Sequence, residues 1–291
     1  MDFAQQLVNG VQIGSVYALV AIGYTMVYGI AKMINFAHGD IIMVGSYVAL
    51  LFFQSSGLPV WGVIAATATV SAVLGVTIER LAYKPLRGGS RMSALITTIG
   101  VSLMLQNGFL LIFGSSPKPF PNHFTGEGFT LGGVTVSRLT AITLVVTVVL
   151  MVLLTLFVNH TRVGKAMRAV SEDQGAAQLM GINIDTSISI TFAIGSALAA
   201  VAAVLYSSTY PLINPYMGSM LGLRAFIAAV IGGIGVIPGA MIGGFIIGIA
   251  EALIKRYISS AMADAIVFAL LIIVLLVKPS GLLGRNEREK V

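Results

Sequence analysis

Cysteine is absent from the 291 residues, so neither disulfides nor thiol chemistry contribute, and the redox compartment is left open. Charge is scarce: Asp, Glu, Lys and Arg make up 10% of the chain, against about 25% in an ordinary soluble domain. No Lys or Arg precedes Lys32, which removes the basic region of a cleaved signal peptide and predicts that the first apolar segment stays in the mature protein. A G-x-x-x-x-G-K-S/T phosphate loop is missing, which excludes ATP binding by that mechanism. Nor does a carboxylate pair, a Ser/His/Asp set or a Cys nucleophile fall where the apolar segments would gather it into a polar cleft. The chain therefore reads as non-enzymatic, with no cofactor. His123 and His160 fall in loops on opposite sides, which leaves no metal site. The net charge of +6 does not indicate nucleic acid, because the cations sit at the ends of apolar segments instead of forming a patch.

What the chain does have is apolar residues, 57% of the total, and 33 glycines. That composition predicts an all-α, polytopic membrane protein, a single domain over 1–291 with eight or nine hydrophobic segments, some of them broken or half-spanning. The segments fall at about 9–29, 34–54, 60–83, 93–113, 139–158, 188–208, 222–236, 238–255 and 262–277. Short loops rich in Lys and Arg stay in the cytoplasm. Lys84, Arg87 and Arg91, the tail with Lys278, Arg285, Arg288 and Lys290, and a central loop at about 160–187 share that side, and alternation adds Lys32 and Arg80. Of 17 Lys and Arg, only Lys118, Arg138, Arg224, Lys255 and Arg256 remain outside, together with the N-terminus. The orientation predicts an inner-membrane protein with a cytoplasmic C-terminus. An external loop at about 114–138 carries Lys118, Pro119, Pro121 and the run FTLGGVTVSR, which reads as a small hairpin able to receive a binding protein, or as a plain connector.

The central loop holds the polar run RVGKAMRAVSEDQGAAQLMGIN at 162–183. Ser171 with Gln174 three positions later has the spacing of a capping box, and Glu172 and Asp173 suit the positive end of a helix dipole. Ala176, Ala177, Leu179 and Met180 then form a short apolar stripe, and Gly181 stands where a helix C-terminus needs positive φ. The spacing predicts a short capped cytoplasmic helix built to touch a partner.

Two stretches break the pattern of simple spans. The segment at 222–236 has about 15 residues, roughly 22 Å of helix, too short to cross the core upright. Gly232, Gly233, Gly235 and Pro238 supply a break after it, and irregular backbone at membrane depth must be buried or line a watery cavity. Asn35, His38 and Asp40 interrupt the early run in the same way. They read as part of a gate or as structural caps, and the two interruptions suggest an internal repeat. Glu79 with Arg80 reads as an interfacial ion pair or a shaped mouth, Glu251 as a partner of Lys255 one turn on, and Gly243, Gly244 and Gly248 as close-packing positions.

The run GKAMRAVSEDQGAAQLMGIN, with AIGYTMVYGIAKMINFAHGDIIMVGSY, ERLAYKPLRG and AVIGGIGVIPGAMIGGFIIGIAEAL, resembles the LivH-type permeases of high-affinity branched-chain amino acid importers over essentially the whole chain. The resemblance implies an ATP-driven importer with a second permease of LivM type, two cytoplasmic ATPase subunits and a periplasmic binding protein. It makes the loop at 160–187 the element that receives ATPase motion. Similar permeases serve urea and short amides, so substrate stays open, and an ion-coupled secondary transporter or channel is the alternative from a different class.

Overall fold

The computed structural model describes residues 2–284 apart from 88, 125, 127 and 132; the tail cations Arg285, Arg288 and Lys290 lie outside the described residues. Among the described residues, eleven α-helices follow one another: α1 (Asp2–Ala31), α2 (His38–Ser55), α3 (Val60–Ile78), α4 (Arg91–Phe113), α5 (Arg138–His160), α6 (Arg162–Glu172), α7 (Gln174–Leu179), α8 (Ile184–Thr209), α9 (Met217–Gly232), α10 (Ile237–Tyr257) and α11 (Ala263–Val277). Nine of them, all but α6 and α7, are apolar, at the upper end of the expected count. The helices Asp2–Ala31, Val60–Leu86, Met92–Phe113, Arg138–His160, Ile184–Thr209 and Ile237–Tyr257 are each long and apolar enough to cross a membrane.

The core is built around α1, which is buried along most of its length and packs most extensively against α10, then α8. Lipid tails offer no hydrophobic drive for this pairing, so close approach of backbones supplies the dispersion contact. Gly10, Gly14 and Ala18 recur every fourth residue on α1 and meet Gly244 and Gly248 of α10. A Cβ at Gly10 would stand 2.6 Å from the Ile249 Cα, and one at Gly244 would stand 2.5 Å from the Ala18 Cα. The close-packing reading of these glycines holds. The helices α4 and α5 lie at the periphery with most of their surface exposed, as helices facing lipid or a partner do.

Two ends of the bundle differ in chemistry. One, here the basic end, gathers residues 32–37, the turns after α3, the α6–α7 region, the α9–α10 break and the segment after α11. The opposite end carries a hairpin, Phe129–Leu131 paired antiparallel with Val134–Val136, as FTLGGVTVSR suggested. There too Lys118–Pro119 pairs with Leu212–Ile213 and ties the long loop to the α8–α9 connection. Past Ile78 the helix α3 widens into a π-turn, Glu79–Tyr83, and then tightens at Lys84–Leu86.

Candidate coupling and gating site

The polar run forms two helices where one was expected. Thr161 caps α6, its hydroxyl accepting from the Gly164 amide at 3.0 Å, and Gly164, Met167 and Val170 spaced by three bury one face while Arg162, Lys165 and Arg168 face out. This amphipathic pattern carries the helix through Glu172, so Ser171 lies in its last turn and donates to the Arg168 carbonyl at 2.7 Å. Ser171 and Gln174 therefore do not form a capping box. The cap of α7 is Asp173, whose backbone is extended and whose Oδ1 accepts from the Ala176 amide at 2.9 Å. A single carboxylate one residue before the helix closes its first turn, and its charge suits the helix N-terminus better than a hydroxyl. The other end of α7 matches expectation. Gly181 has φ +80, its amide bonds to Gln178 O at 2.9 Å and the Ile182 amide to Ala177 O at 3.0 Å, which together make a Schellman motif.

The stripe on α7 is split. Ala177 is 3% exposed and buried within this chain, whereas Leu179 is 91% and Met180 82% exposed. Ala176 is exposed as well. Two large apolar side chains held outward by a capped, terminated helix, with Ala177 as its root, are what this loop presents.

The break between α9 and α10 is formed by Gly233 at φ +108 and Gly235 at φ +91, conformations that non-glycine residues avoid. Gly232 packs against Gly239, and Pro238 lies in the first turn of α10, where its missing N–H costs nothing. With 16 residues, α9 extends about 24 Å, short of a bilayer core. The carbonyls at its end are satisfied from elsewhere: the Leu282 amide bonds to Ile231 O at 2.8 Å and the Leu283 amide to Gly232 O at 3.0 Å. The segment after α11 thus straps the broken helix.

Asn35, His38 and Asp40 are buried where α2 begins. Asp40 accepts from Ser102 and, at 3.0 Å, from Gln106 of α4; Gln106 also donates to Ser219 of α9 at 2.8 Å. Asn35 Oδ1 accepts from the Tyr83 hydroxyl at 2.6 Å, and His38 packs edge-on against Tyr24 with ring centres 4.7 Å apart. Gly39 meets α9 closely enough that a Cβ on Gly222 would stand 2.6 Å from its Cα. These three polar residues join α2 to α1, α4, α9 and the π-turn. Ser171, Gly235 and Pro238, by contrast, border one cavity.

Several charged partners were not foreseen. Glu79 is fully buried and pairs with Arg87, not with its neighbour Arg80, which points outward because successive residues on a helix face different ways. Ser189 donates to the other Glu79 oxygen at 2.6 Å, and Asp185 takes Lys84 at 2.6 Å and Arg87. At the opposite end, Glu251 pairs with Lys255 as the spacing suggested. It also takes the Tyr17 hydroxyl at 2.6 Å and Arg224 at 3.0 Å, and Arg224 reaches on to Asp264. A polar letter in an apolar run signals that such a residue has a partner but not which one.

Nine apolar helices, six of them in spans long and apolar enough to cross a membrane, define a multi-pass α-helical membrane protein. The chain belongs to the family described as branched-chain amino acid transport system, permease component, whose profile matches residues 6–275. It is 49% identical to the high-affinity branched-chain amino acid transport system permease protein LivH of Escherichia coli K12, over 99% of this chain and 98% of that one. Identity to the corresponding protein BraD of Pseudomonas aeruginosa is 48% over the same shares. A probable branched-chain amino acid transport permease of Methanocaldococcus jannaschii is 31% identical over 64% of this chain.

Proposed function

We propose that this chain is the LivH-type permease subunit of an ATP-driven importer that carries branched-chain amino acids across the inner membrane. The observation that carries this reading is near-full-length identity of 48–49% to two such permeases. The remaining parts follow from the type of system: a second permease of LivM type, two cytoplasmic ATPase subunits and a periplasmic binding protein that selects the substrate. The basic end is the cytoplasmic face, in keeping with the distribution of Lys and Arg.

In this reading α7 is the coupling helix. An ATPase shifts the permease only through a contact that differs between two states, and Leu179 and Met180 provide an apolar projection for a groove on that partner. Its motion reaches the membrane through α6 and α8, which flank it. The α9–α10 break, with its glycine hinges at Gly233 and Gly235, is the element able to open and close the path. Asn35, His38 and Asp40 act on the gate by holding α2 against α9.

The test is uptake of labelled leucine in a strain lacking its own permease. Wild-type chain expressed with the partner subunits restores uptake. Leu179→Asp with Met180→Asp leaves the chain in the membrane but removes ATPase association and uptake. Full uptake by the doubly substituted chain sinks the coupling role of α7, and failure of the wild type to support leucine uptake while another substrate is imported sinks the substrate assignment.

A further inference from the structure

At the basic end a cavity of about 940 Å³ lies between α1, α5, α6, the α9–α10 break and the segment after α11. Its lining changes with depth. Lys32 and Arg168 stand near the end of the bundle with Asn159 and Ser171, while Thr25 lies about 10 Å farther along α1. Between them the lining mixes the apolar Met26, Ile30 and Val158 with Tyr28 and Thr155. The lining includes no Asp or Glu among the described residues.

Both cations are uncommitted. Lys84, Arg87, Arg224, Lys255 and Arg256 have carboxylate partners, whereas Lys32 and Arg168, like the exposed Arg80, Arg162 and Lys165, make no ion pair with any described residue; Lys32 and Arg168 are the two that line this cavity. Thr25 is also unusual. Helical threonines in this chain normally satisfy their hydroxyl on the carbonyl four residues back, as Thr69, Thr77, Thr143 and Thr191 do. Thr25 is 1% exposed and its hydroxyl has no partner among the described residues. A buried donor of that kind carries the full cost of desolvation unless something meets it. Lys32, moreover, is the one described non-glycine residue with positive φ, at +54, in a position where helix ends favour glycine. A cation is kept there against the preference of the backbone.

We propose that this cavity binds an acidic phospholipid, with the phosphate between Lys32 and Arg168, the glycerol backbone along Ile30, Met26 and Val158, and an ester carbonyl beyond them accepting from Thr25. The volume is at the upper end of the range for pockets that hold drug-sized ligands, which suits an amphiphile better than a small ion. Basic pockets at the cytoplasmic ends of membrane helices meet the anionic leaflet, where each Lys or Arg adds to binding. The assignment rests on the basic end being cytoplasmic, not on which substrate is carried. Because Ser171, Gly235 and Pro238 share the cavity wall, a bound lipid touches both α6 and the broken helix, and so acts as a structural wedge between coupling helix and gate.

The experiment uses the assembled transporter in nanodiscs of phosphatidylcholine containing a minority of phosphatidylglycerol, with native mass spectrometry reading the lipid that stays bound on release. Wild type retains phosphatidylglycerol in preference to phosphatidylcholine. Lys32→Gln and Arg168→Gln each lower that preference about five-fold, and Lys32→Arg preserves it. Thr25→Val, a near-isosteric change that spares both charges, lowers it too, and keeps the test open if a neutralised variant does not assemble. Equal preference in wild type and the Lys32→Gln, Arg168→Gln double variant, or in wild type and Thr25→Val, overturns the site. Release of the lipid by excess inorganic phosphate or free leucine overturns its identity, showing instead a site for a small anion or the substrate. Cysteine labelling of the basic end reports on sidedness independently, so a wrong orientation is told apart from a missing site.

Discussion

Glu251 is buried among Tyr17, Arg224 and Lys255, and Arg224 in turn bridges to Asp264, so α1, α9, α10 and α11 converge on one carboxylate. Removing Arg224 leaves Glu251 with Lys255 and Tyr17 and takes the cation from Asp264, a loss smaller than the roughly 3–5 kcal/mol of a buried charge left with no partner. We expect Arg224→Leu to lower the thermal midpoint of the purified complex much more than Glu251→Gln. The double variant should be less damaged than the sum of the two, because the Arg224–Glu251 contact is lost only once. Additive effects would show that the two residues do not interact. The pairing of Glu251 with Lys255 was legible because residues four apart share a helix face. Tyr17 is 234 positions away and Arg224 is 27, and no local rule reaches them. Ala177 is the sharper lesson at this scale. The stripe Ala176, Ala177, Leu179 and Met180 suggested four residues facing a partner, yet α7 rests on Ala177. Ala177→Asp is therefore expected to unfold the loop and reduce the yield of the chain, by roughly a few kcal/mol, while Leu179→Asp leaves the yield unchanged and affects only ATPase association. Immunoblotting of membranes alongside co-purification separates the two outcomes; matching yields for both variants would refute this view of Ala177.

At the scale of elements, caps and breaks decide which segments are rigid. Asp173 closes α7 from one side and Gly181 from the other. Asp173→Ala should cost about 1 kcal/mol of local helix stability, seen as faster hydrogen exchange of the amides at 176–180, whereas Ser171→Ala should leave that exchange unchanged. The reverse order would restore the capping box. The sequence contained both spacings, Ser171 to Gln174 and Asp173 to Ala176, but the amphipathic pattern of 162–172 was needed to choose, since it extends α6 over Ser171. The broken helix was more legible, because a run of about 15 apolar residues is too short to span upright and the Gly-rich backbone after it is too irregular to lengthen it. What the letters did not carry was the strap from 282–283 to Ile231 and Gly232, a backbone contact that any side chains permit. Gly233→Leu is expected to abolish uptake, because it forces a side chain into positive φ beside the strap at Gly281 and Gly284. Leucine at the outward-facing Gly100, where a Cβ meets nothing within 4 Å, tests only the peripheral surface of α4. Wild-type uptake by Gly233→Leu would return 217–257 to an ordinary helical hairpin.

For the whole molecule, the chain's lack of cysteine makes its orientation directly measurable. Single Ser90→Cys and Glu172→Cys variants, both at exposed positions of the basic end, should react with an impermeant thiol reagent only in inverted vesicles, and Ser116→Cys only in intact cells. Labelling of Ser90→Cys or Glu172→Cys from outside would invert the molecule and, with it, the side on which α7 meets a partner.

The packing of α1 against α10 also bears on how the protein is made. The glycine-lined face of the first helix finds its partner in residues 237–257, more than two hundred positions later in synthesis. At ribosomal speed that interval lasts roughly ten seconds to a minute. Throughout it the seam lined by Gly10 and Gly14 lacks α10, although α5, α8 and α9, made earlier, already pack on other parts of α1. Substitutions that bulk up Gly244 or Gly248 are therefore expected to lower the amount of assembled chain in the membrane before they alter the rate of transport per molecule.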